Sequence, residues 1–194
     1  MECGNELENL YLKISLPMHS VYIPAIATRL LYRQSLLRSF AHQSKSVIQY
    51  LEQYGYELER FQKKYPKEFA VEVSNSASNH MGKSSIEILC FPFSKSDYLD
   101  IASQVHGFQS FKEVLNLNPE LDFTFESAVD AVVNGNEKIL SKLLQQNARL
   151  VHQSSPFGHQ AQLIHYCSSN AVEIYRQIVP LNLNRMIALL LDFG

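Results

Sequence analysis

The chain has 194 residues, a length that suits one domain, or one domain with a small accessory part. Hydrophobic residues make up 46% of it, including 11 Phe and 10 Tyr, so it can form a core and is not disordered as a whole. The formal net charge of -2 gives no electrostatic case for nucleic acid, which requires a concentrated basic surface.

The cysteines and the apolar stretches bear on the cellular compartment. Cys3, Cys90 and Cys167 lie far apart and form no CxxC pair, so neither a disulfide scaffold nor a zinc knuckle is indicated, and a reducing compartment fits best. The acidic start of the chain lacks the basic and apolar regions of a signal peptide. The most apolar stretch, 21–32, is interrupted by Pro24 and Arg29 and is too short to span a bilayer. We therefore expect a soluble, cytoplasmic protein without a membrane span.

The first zone of the chain, residues 7–69, has a helical pattern interrupted by Pro17 and Pro24. Leucines after Pro24 recur near 3.6 spacing, and a second apolar stripe follows between Val47 and Phe61. We predict two or three helices that end near Tyr65–Pro66. The apolar positions that carry the pattern are Leu30, Leu31, Leu36, Leu37, Phe40, Val47, Tyr50, Leu51, Tyr54, Leu58 and Phe61.

The second zone is polar. Residues 71–83 are rich in Ser and Asn and end at Gly82, which predicts a loop near 71–85. The apolar stretch from Ile86 to Phe93 carries Pro92 and is predicted to be a short extended piece or more loop. Together the first two zones define a predicted N-terminal helical region at residues 1–93.

The third zone opens with helix-boundary signals. Ser94 and Asp97 form a capping box, in which the hydroxyl accepts from an N–H and the acidic side chain reaches back. The helix that follows is predicted to stop at Gly107, a favoured C′ residue. Ser110 and Glu113 form a second capping box, which opens another short helix.

Two further helices follow in close succession. Thr124 is a candidate cap for a helix that runs through Val133, and Asn134–Gly135 predicts a tight turn. A fourth helix then presents one apolar stripe, built from Ile139, Leu140, Leu143 and Leu144. Ala128 and Ala131 on the first helix of this pair let backbones approach closely, which is the basis of a helical solenoid.

The end of the chain resembles an ankyrin repeat. The repeat's first helix opens T-P-L-H-x-A and its second ends L-L-L-x-x-G; here Ile164–His165 matches the L-H pair, and Leu189–Leu191 with Gly194 matches the ending. The sequence departs from the pattern at three positions, where Gln162 replaces Thr, Leu163 replaces Pro and Cys167 replaces Ala.

The last repeat is longer than usual. Leu143 and Leu189 lie 46 residues apart, against about 33 for an ankyrin repeat. The surplus predicts an insertion at 171–183, between the two helices of the last repeat. With this insertion, residues 94–194 resemble a largely uncharacterised bacterial group of ankyrin-repeat proteins, and Gly107–Phe111 matches an element that precedes the repeats in that group. The resemblance implies a fold and a binding role, and it implies no reaction.

The end of the chain falls where the β-turn of a following repeat would begin. Because a solenoid end needs a polar cap, we expect the 194 residues to be the N-terminal part of a longer array.

Residues with catalytic or metal-binding chemistry favour structural roles. His165 and Cys167 are two apart and do not face each other on a helix; the ankyrin resemblance makes the first a hydrogen-bonding residue of the turn and the second a small core residue. His152 and His159 follow no zinc spacing and are predicted to be solvated.

Charged groups are also predicted to be structural or solvated. The carboxylates between residues 97 and 130 suit caps, first turns and an exposed helix face better than acid–base catalysis. A basic run over Arg29, Arg33, Arg38 and Lys45 favours the polar face of a packed helix over contact with acidic lipid or nucleic acid. We therefore predict no catalytic, cofactor-binding or metal-binding residue.

The sequence thus predicts an all-α protein in which the N-terminal helical region, 1–93, packs on an ankyrin-like α-solenoid, 94–194. The predicted function is non-catalytic protein–protein recognition by an adaptor or scaffold, with an unknown protein as partner. The insertion at 171–183 is the first candidate contact, since loops carry function and Tyr and Arg dominate hot spots. Its candidate partner-binding residues are Tyr175, Arg176 and Gln177; packing of Tyr175 against the helices is an equal alternative.

Two other functions stay open. One is an enzyme whose active site lies in 1–93 or beyond Gly194, with the repeats as a targeting arm. The other is a secreted bacterial effector whose repeats bind a host protein.

Overall fold

A computed structural model describes residues 43–168, 176 and 179–194 of the chain. Every named element in these residues is helical, so this part of the chain is all-α, as predicted. The predicted helix around Leu30–Phe40, the arginines at 29, 33 and 38, Tyr175 and Gln177 lie outside the described residues. The α-helices are α1 Val47–Lys64, α2 Pro66–Ser76, α3 Ser85–Leu89, α4 Lys95–Val105, α5 Phe111–Leu117, α6 Phe123–Val133, α7 Glu137–Gln146 and α8 Leu183–Phe193.

Helix α1 confirms the apolar stripe that predicted it. The Ser46 hydroxyl accepts a hydrogen bond from the Gln49 N–H at 3.1 Å and so caps the first turn. Every apolar position of the stripe from Val47 to Phe61 is buried. The helix ends at Lys64, and Pro66 starts α2 at a position where its missing N–H costs nothing.

The predicted loop near 71–85 is wrong over its first half. Helix α2 continues to Ser76, and a 3-10 helix follows at Ser78–His80. Phe69, Ala70 and Val73 are fully buried, so tertiary packing of one helical face overrides the polar composition of the other. The predicted extended piece is also wrong at its start, because Ser84 and Glu87 form a capping box that opens α3.

The capping signals of the third zone are largely confirmed. Ser94 and Asp97 form both bonds of the box at the start of α4, and Gly107 adopts a φ of +85° just after that helix. The Ser110 hydroxyl accepts from the Glu113 N–H, as predicted. The carboxylate of Glu113 instead accepts from the Gln109 N–H at 2.6 Å, so the second box is shifted by one residue.

The first hydrophobic core extends past residue 93, where the predicted N-terminal region ends. Helices α4 and α5 pack on α1, and the buried cluster extends from Val47 to Leu121. One more member, Phe157, comes from much later in the chain. Helices α4 and α5 therefore belong to the N-terminal core.

Helices α6 and α7 form the predicted pair. Asp122 caps α6, where its Oδ1 accepts from the N–H groups of Thr124 and Phe125 at 2.8 and 3.1 Å. The predicted cap, Thr124, lies inside the helix. Gly135 adopts a φ of +66° in the turn, and the short connection makes the two helices antiparallel neighbours.

A second pair packs on the first. A 3-10 helix at Leu163–Cys167 takes the place of the predicted helix start, and α8 follows the insertion. Helix α6 contacts the 3-10 helix, and α7 contacts α8. The second core fills the space between them with residues from Phe125 to Leu190. No helix in the part of the chain that the structure describes is long and apolar enough to cross a membrane.

Candidate partner-binding site

Arg176, a predicted partner contact, lies inside the protein. Only 1% of the residue is exposed, and its Nη2 lies 2.6 Å from Glu126 Oε2 and 3.3 Å from Asp130 Oδ1. The side chain is therefore committed to the chain itself. This placement corrects the expectation that Arg176 offers an exposed contact.

The two carboxylates come from one face of α6. Glu126 and Asp130 are four residues apart, so they lie one turn above each other. The guanidinium also lies over the ring of Tyr166, 5.9 Å from its centroid. Since a charge taken out of water requires close compensation, this constellation fastens the insertion to α6.

Glu126 lies in the first turn of α6, as predicted, but it is buried, whereas solvated carboxylates were expected in this stretch. A sequence signal for it existed. Glu126 and Asp130 are four residues apart on a helix whose other buried positions are all apolar, a pattern that favours a cation paired with both carboxylates. Nothing in the sequence, however, points from there to Arg176.

The end of the insertion is held at a second point. Asn182 donates from Nδ2 to the Gly135 carbonyl at 2.9 Å and to Glu137 Oε1 at 2.6 Å. Pro180 is buried, and a Cβ on Gly135 would come within 2.9 Å of the Pro180 Cβ. Residues 179–182 therefore lie directly against the α6–α7 turn.

Two apolar side chains project from this anchored segment. Val179 is 50% exposed and Leu181 is fully exposed, at 109% of its reference area. We call residues 134–137 and 179–182 together the tip surface. Arg185 adds a loose ion pair to it, with Nη1 3.6 Å from Glu137 Oε1. Single exposed leucines are ordinary on protein surfaces. Leu181, however, lies between Pro180 and Asn182, which both contact the α6–α7 turn.

His165 forms a hydrogen bond at the start of its own 3-10 helix. Its Nδ1 accepts a hydrogen bond from the Gln162 N–H at 2.9 Å and so caps the 3-10 helix. The Gln162 side chain donates to the His152 carbonyl at 3.3 Å. The imidazole is thus part of the local fold, and its acceptor nitrogen is occupied.

Cys167 is buried, as predicted for a small core residue. Burial away from water raises the pKa of its thiol to about 11, so the thiol stays protonated at neutral pH. His159, predicted to be solvated, is half-buried instead, and its ring stacks on Phe157 at a centroid distance of 5.9 Å. Within 43–168, 176 and 179–194, no three His, Cys, Asp or Glu side chains group as metal ligands.

Two surface grooves of the described residues are lined by residues outside the tip surface. A groove of about 310 Å³ lies between α5 and the loop before the 3-10 helix, with Glu113, Ser155 and Gln160 among its lining residues. A smaller apolar groove of about 170 Å³ lies beside the end of α8, where Ile164, Leu190 and Leu191 line it. In the first groove the Glu113 carboxylate accepts a hydrogen bond from the Gln109 N–H, and the Ser155 hydroxyl oxygen accepts one from the Phe157 N–H.

Comparisons with protein-family models, with curated proteins and with solved structures find no match for this chain. The residues that the structure describes have an all-α architecture.

Proposed function

We propose that residues 123–194 form an ankyrin-like solenoid and that the protein works by binding another protein rather than by catalysis. One observation carries the proposal, namely the order in which the two helix pairs stack. The first members of the pairs, α6 and the 3-10 helix, contact each other. The second members, α7 and α8, also contact each other. In a repeat array each helix stacks on the equivalent helix of the neighbouring repeat.

The side chains at these contacts suit close stacking. Ala128 and Ala131 on α6 are buried, so small side chains separate it from its neighbours. Leu140 and Leu144 of α7 are buried in the same cluster as Met186 and Leu190 of α8. The second helices thus share one continuous apolar row.

The tip surface is the part of this unit that best suits a partner. Arg176 anchors the insertion to α6, and Asn182 anchors it to the α6–α7 turn. Residues 179–182 lie fixed against this turn, so they lose little conformational freedom on binding and their apolar area contributes more to affinity. Val179 and Leu181 supply that apolar area.

The residues with nucleophile or base chemistry in this region support a non-catalytic role. His165 uses Nδ1 to hold the 3-10 helix, and the Cys167 thiol is held protonated by its burial. A cysteine nucleophile requires the thiolate, which this environment disfavours.

Capture of the partner by the intact chain tests the proposal. Affinity-tagged wild-type protein and a tagged Leu181→Ser variant are incubated with a lysate. A chemical crosslinker is then added, and the tagged proteins are recovered with whatever they have bound. Leu117→Ser is the matched control, since Leu117 is also an exposed leucine, at 61%, and lies on α5.

We expect at least one protein to be captured by the wild type and by Leu117→Ser but not by Leu181→Ser. Purified partner and wild-type chain should then associate directly, with Leu181→Ser weakening the affinity. The same captured set for all three proteins would remove the tip surface from the function.

A further inference from the structure

The loop between the 3-10 helices Ala148–Val151 and Leu163–Cys167 connects the two hydrophobic cores. Val151 before it and Ala161 at its end belong to the second core. Phe157, in the middle of the loop, belongs to the first core, where it is 1% exposed. We call residues 152–162 the strap, because they leave one core, enter the other and return.

Phe157 packs against one ring from α1 and one from the residue that follows α4. Its centroid lies 5.4 Å from that of Tyr50 and 5.1 Å from that of His106. His106 is itself held from two sides: Nδ1 lies 2.7 Å from the Ala102 carbonyl and Nε2 lies 3.0 Å from the Tyr50 hydroxyl. Since a carbonyl only accepts, Nδ1 is the donor. These two hydrogen bonds fix the orientation of the His106 ring against Phe157.

The backbone of the strap crosses the backbone after α4 at two glycines. A Cβ on Gly158 would overlap the Gly107 carbonyl and the Phe108 nitrogen. A Cβ on Gly107 would lie 2.8 Å from the Gly158 carbonyl carbon and would overlap the His159 nitrogen. This crossing is possible only because neither residue has a side chain.

Further contacts tie the strap to the second core. Gln153 donates from Nε2 to Asp122 Oδ2 at 2.8 Å, and Asp122 is the cap of α6. The Ser155 N–H donates to the Ala161 carbonyl at 2.8 Å and closes the strap on itself. His159 stacks on Phe157 and lies 6.4 Å, centroid to centroid, from Tyr166 of the second core.

We infer that the strap is a coupling device, which makes the two cores open as one cooperative unit. Removing Phe157 from its pocket exposes rings of the first core and, through Gln153 and His159, releases contacts of the second. Each core therefore stabilises the other. A partner that binds the second core then also protects the first, because free energy that couples two parts acts in both directions.

Native-state hydrogen exchange of the intact chain measures this coupling. The probes are buried amides of α1, such as Tyr54 and Leu58, and of α6, such as Val129 and Val132. In the wild type we expect both sets to exchange with the same opening constant and the same urea dependence. Different opening constants for the two helices in the wild type would overturn the inference.

Gly107→Ala breaks the crossing without altering a core side chain. The overlap forces the strap away, so the ratio of the two opening constants should move from one by roughly tenfold or more, the size expected of an overpacked contact. Gly82→Ala is the matched control, because Gly82 has a similar φ of +78° but no atom within 4 Å of an added Cβ.

Gly82→Ala should weaken both cores in parallel or leave both unchanged. If Gly107→Ala kept the ratio at one, as the control does, the strap would not be the coupling element. If Gly107→Ala does not fold, Phe157→Leu replaces it in the same measurement. A ratio of the two opening constants that departs from one then supports the coupling, and a ratio of one contradicts it.

Discussion

The Arg176 guanidinium lies 2.6 Å from the Glu126 carboxylate, and both groups are almost fully removed from water. The pair joins the insertion to α6 across 50 residues of chain. A buried charge without its counter-charge destabilises the folded state, so removing either partner should lower the free energy of unfolding.

Arg176→Met is expected to lower the free energy of unfolding by about 3–5 kcal/mol, because it leaves Glu126 buried without a cation. Urea unfolding of the intact chain measures the loss. Adding Glu126→Gln to that variant removes the unpaired charge and should recover part of the stability.

A surface pair provides the control. Arg60 Nη1 lies 2.9 Å from Glu57 Oε1, but the arginine side chain is 63% exposed. Arg60→Met should therefore cost less than about 1 kcal/mol. A similarly small loss for Arg176→Met would mean that the buried pair does not persist in solution.

Asp122 rather than Thr124 should set the stability of the α6 start. Asp122→Ala removes two bonds to N–H groups at the helix start and is expected to cost about 1–2 kcal/mol. Thr124→Ala, at the position that the sequence favoured, should cost clearly less. Thermal unfolding of the two variants decides between the caps, and equal losses would contradict the observed geometry.

The same cap predicts a pH dependence. Burial raises the pKa of Asp122, but hydrogen bonds from Gln153, Phe125 and Thr124 outweigh burial and leave the pKa below its ordinary value of 3.8. A lowered folded-state pKa stabilises the protein above the unfolded pKa, and this contribution is lost as the pH falls through the folded one. The difference between wild type and Asp122→Ala should therefore be full at pH 7 and shrink below about pH 4.

The sequence pattern predicted those helices whose caps and apolar faces are formed by residues close together in the chain. The apolar stripe gave α1, and Ser94 with Asp97 gave the start of α4, because caps and helix faces involve residues three or four apart. The loop predicted over α2 failed because Phe69 and Val73 are stabilised by partners far along the chain.

Local patterns did not predict the position of Arg176, because its contacts are distant in the sequence. The surplus between Leu143 and Leu189 predicts an insertion at 171–183, but it does not predict what the side chains in that range contact. Arg176 looks like an exposed contact until α6 is known to present two carboxylates to it. Phe157 likewise gives no local sign that it belongs to the other core.

The cysteines should differ sharply in reactivity. Cys90 is exposed, whereas Cys167 is buried with its thiol pKa raised to about 11. In a Cys3→Ser variant at pH 8, we expect one thiol to react rapidly with a disulfide reagent and the second to react only after denaturation. Cys90→Ser should abolish the rapid phase. A rapid phase that Cys167→Ser abolishes instead would contradict the burial and would reopen a reactive role for this residue.

Substitutions of Leu181 on the tip surface and of Leu190 in α8 should affect stability very differently. Leu181→Ser is expected to change the free energy of unfolding by less than about 0.5 kcal/mol, since the side chain is fully exposed. Leu190→Ala, which empties part of the second core, should cost about 2–5 kcal/mol.

Urea unfolding provides both values. If Leu181→Ser were as damaging as Leu190→Ala, then Leu181 would pack within the protein, and its loss of a captured partner would reflect misfolding. A neutral Leu181→Ser that still loses the partner assigns Leu181 to recognition. Because the anchors Arg176 and Asn182 remain intact in that variant, the loss would report the missing apolar contact alone.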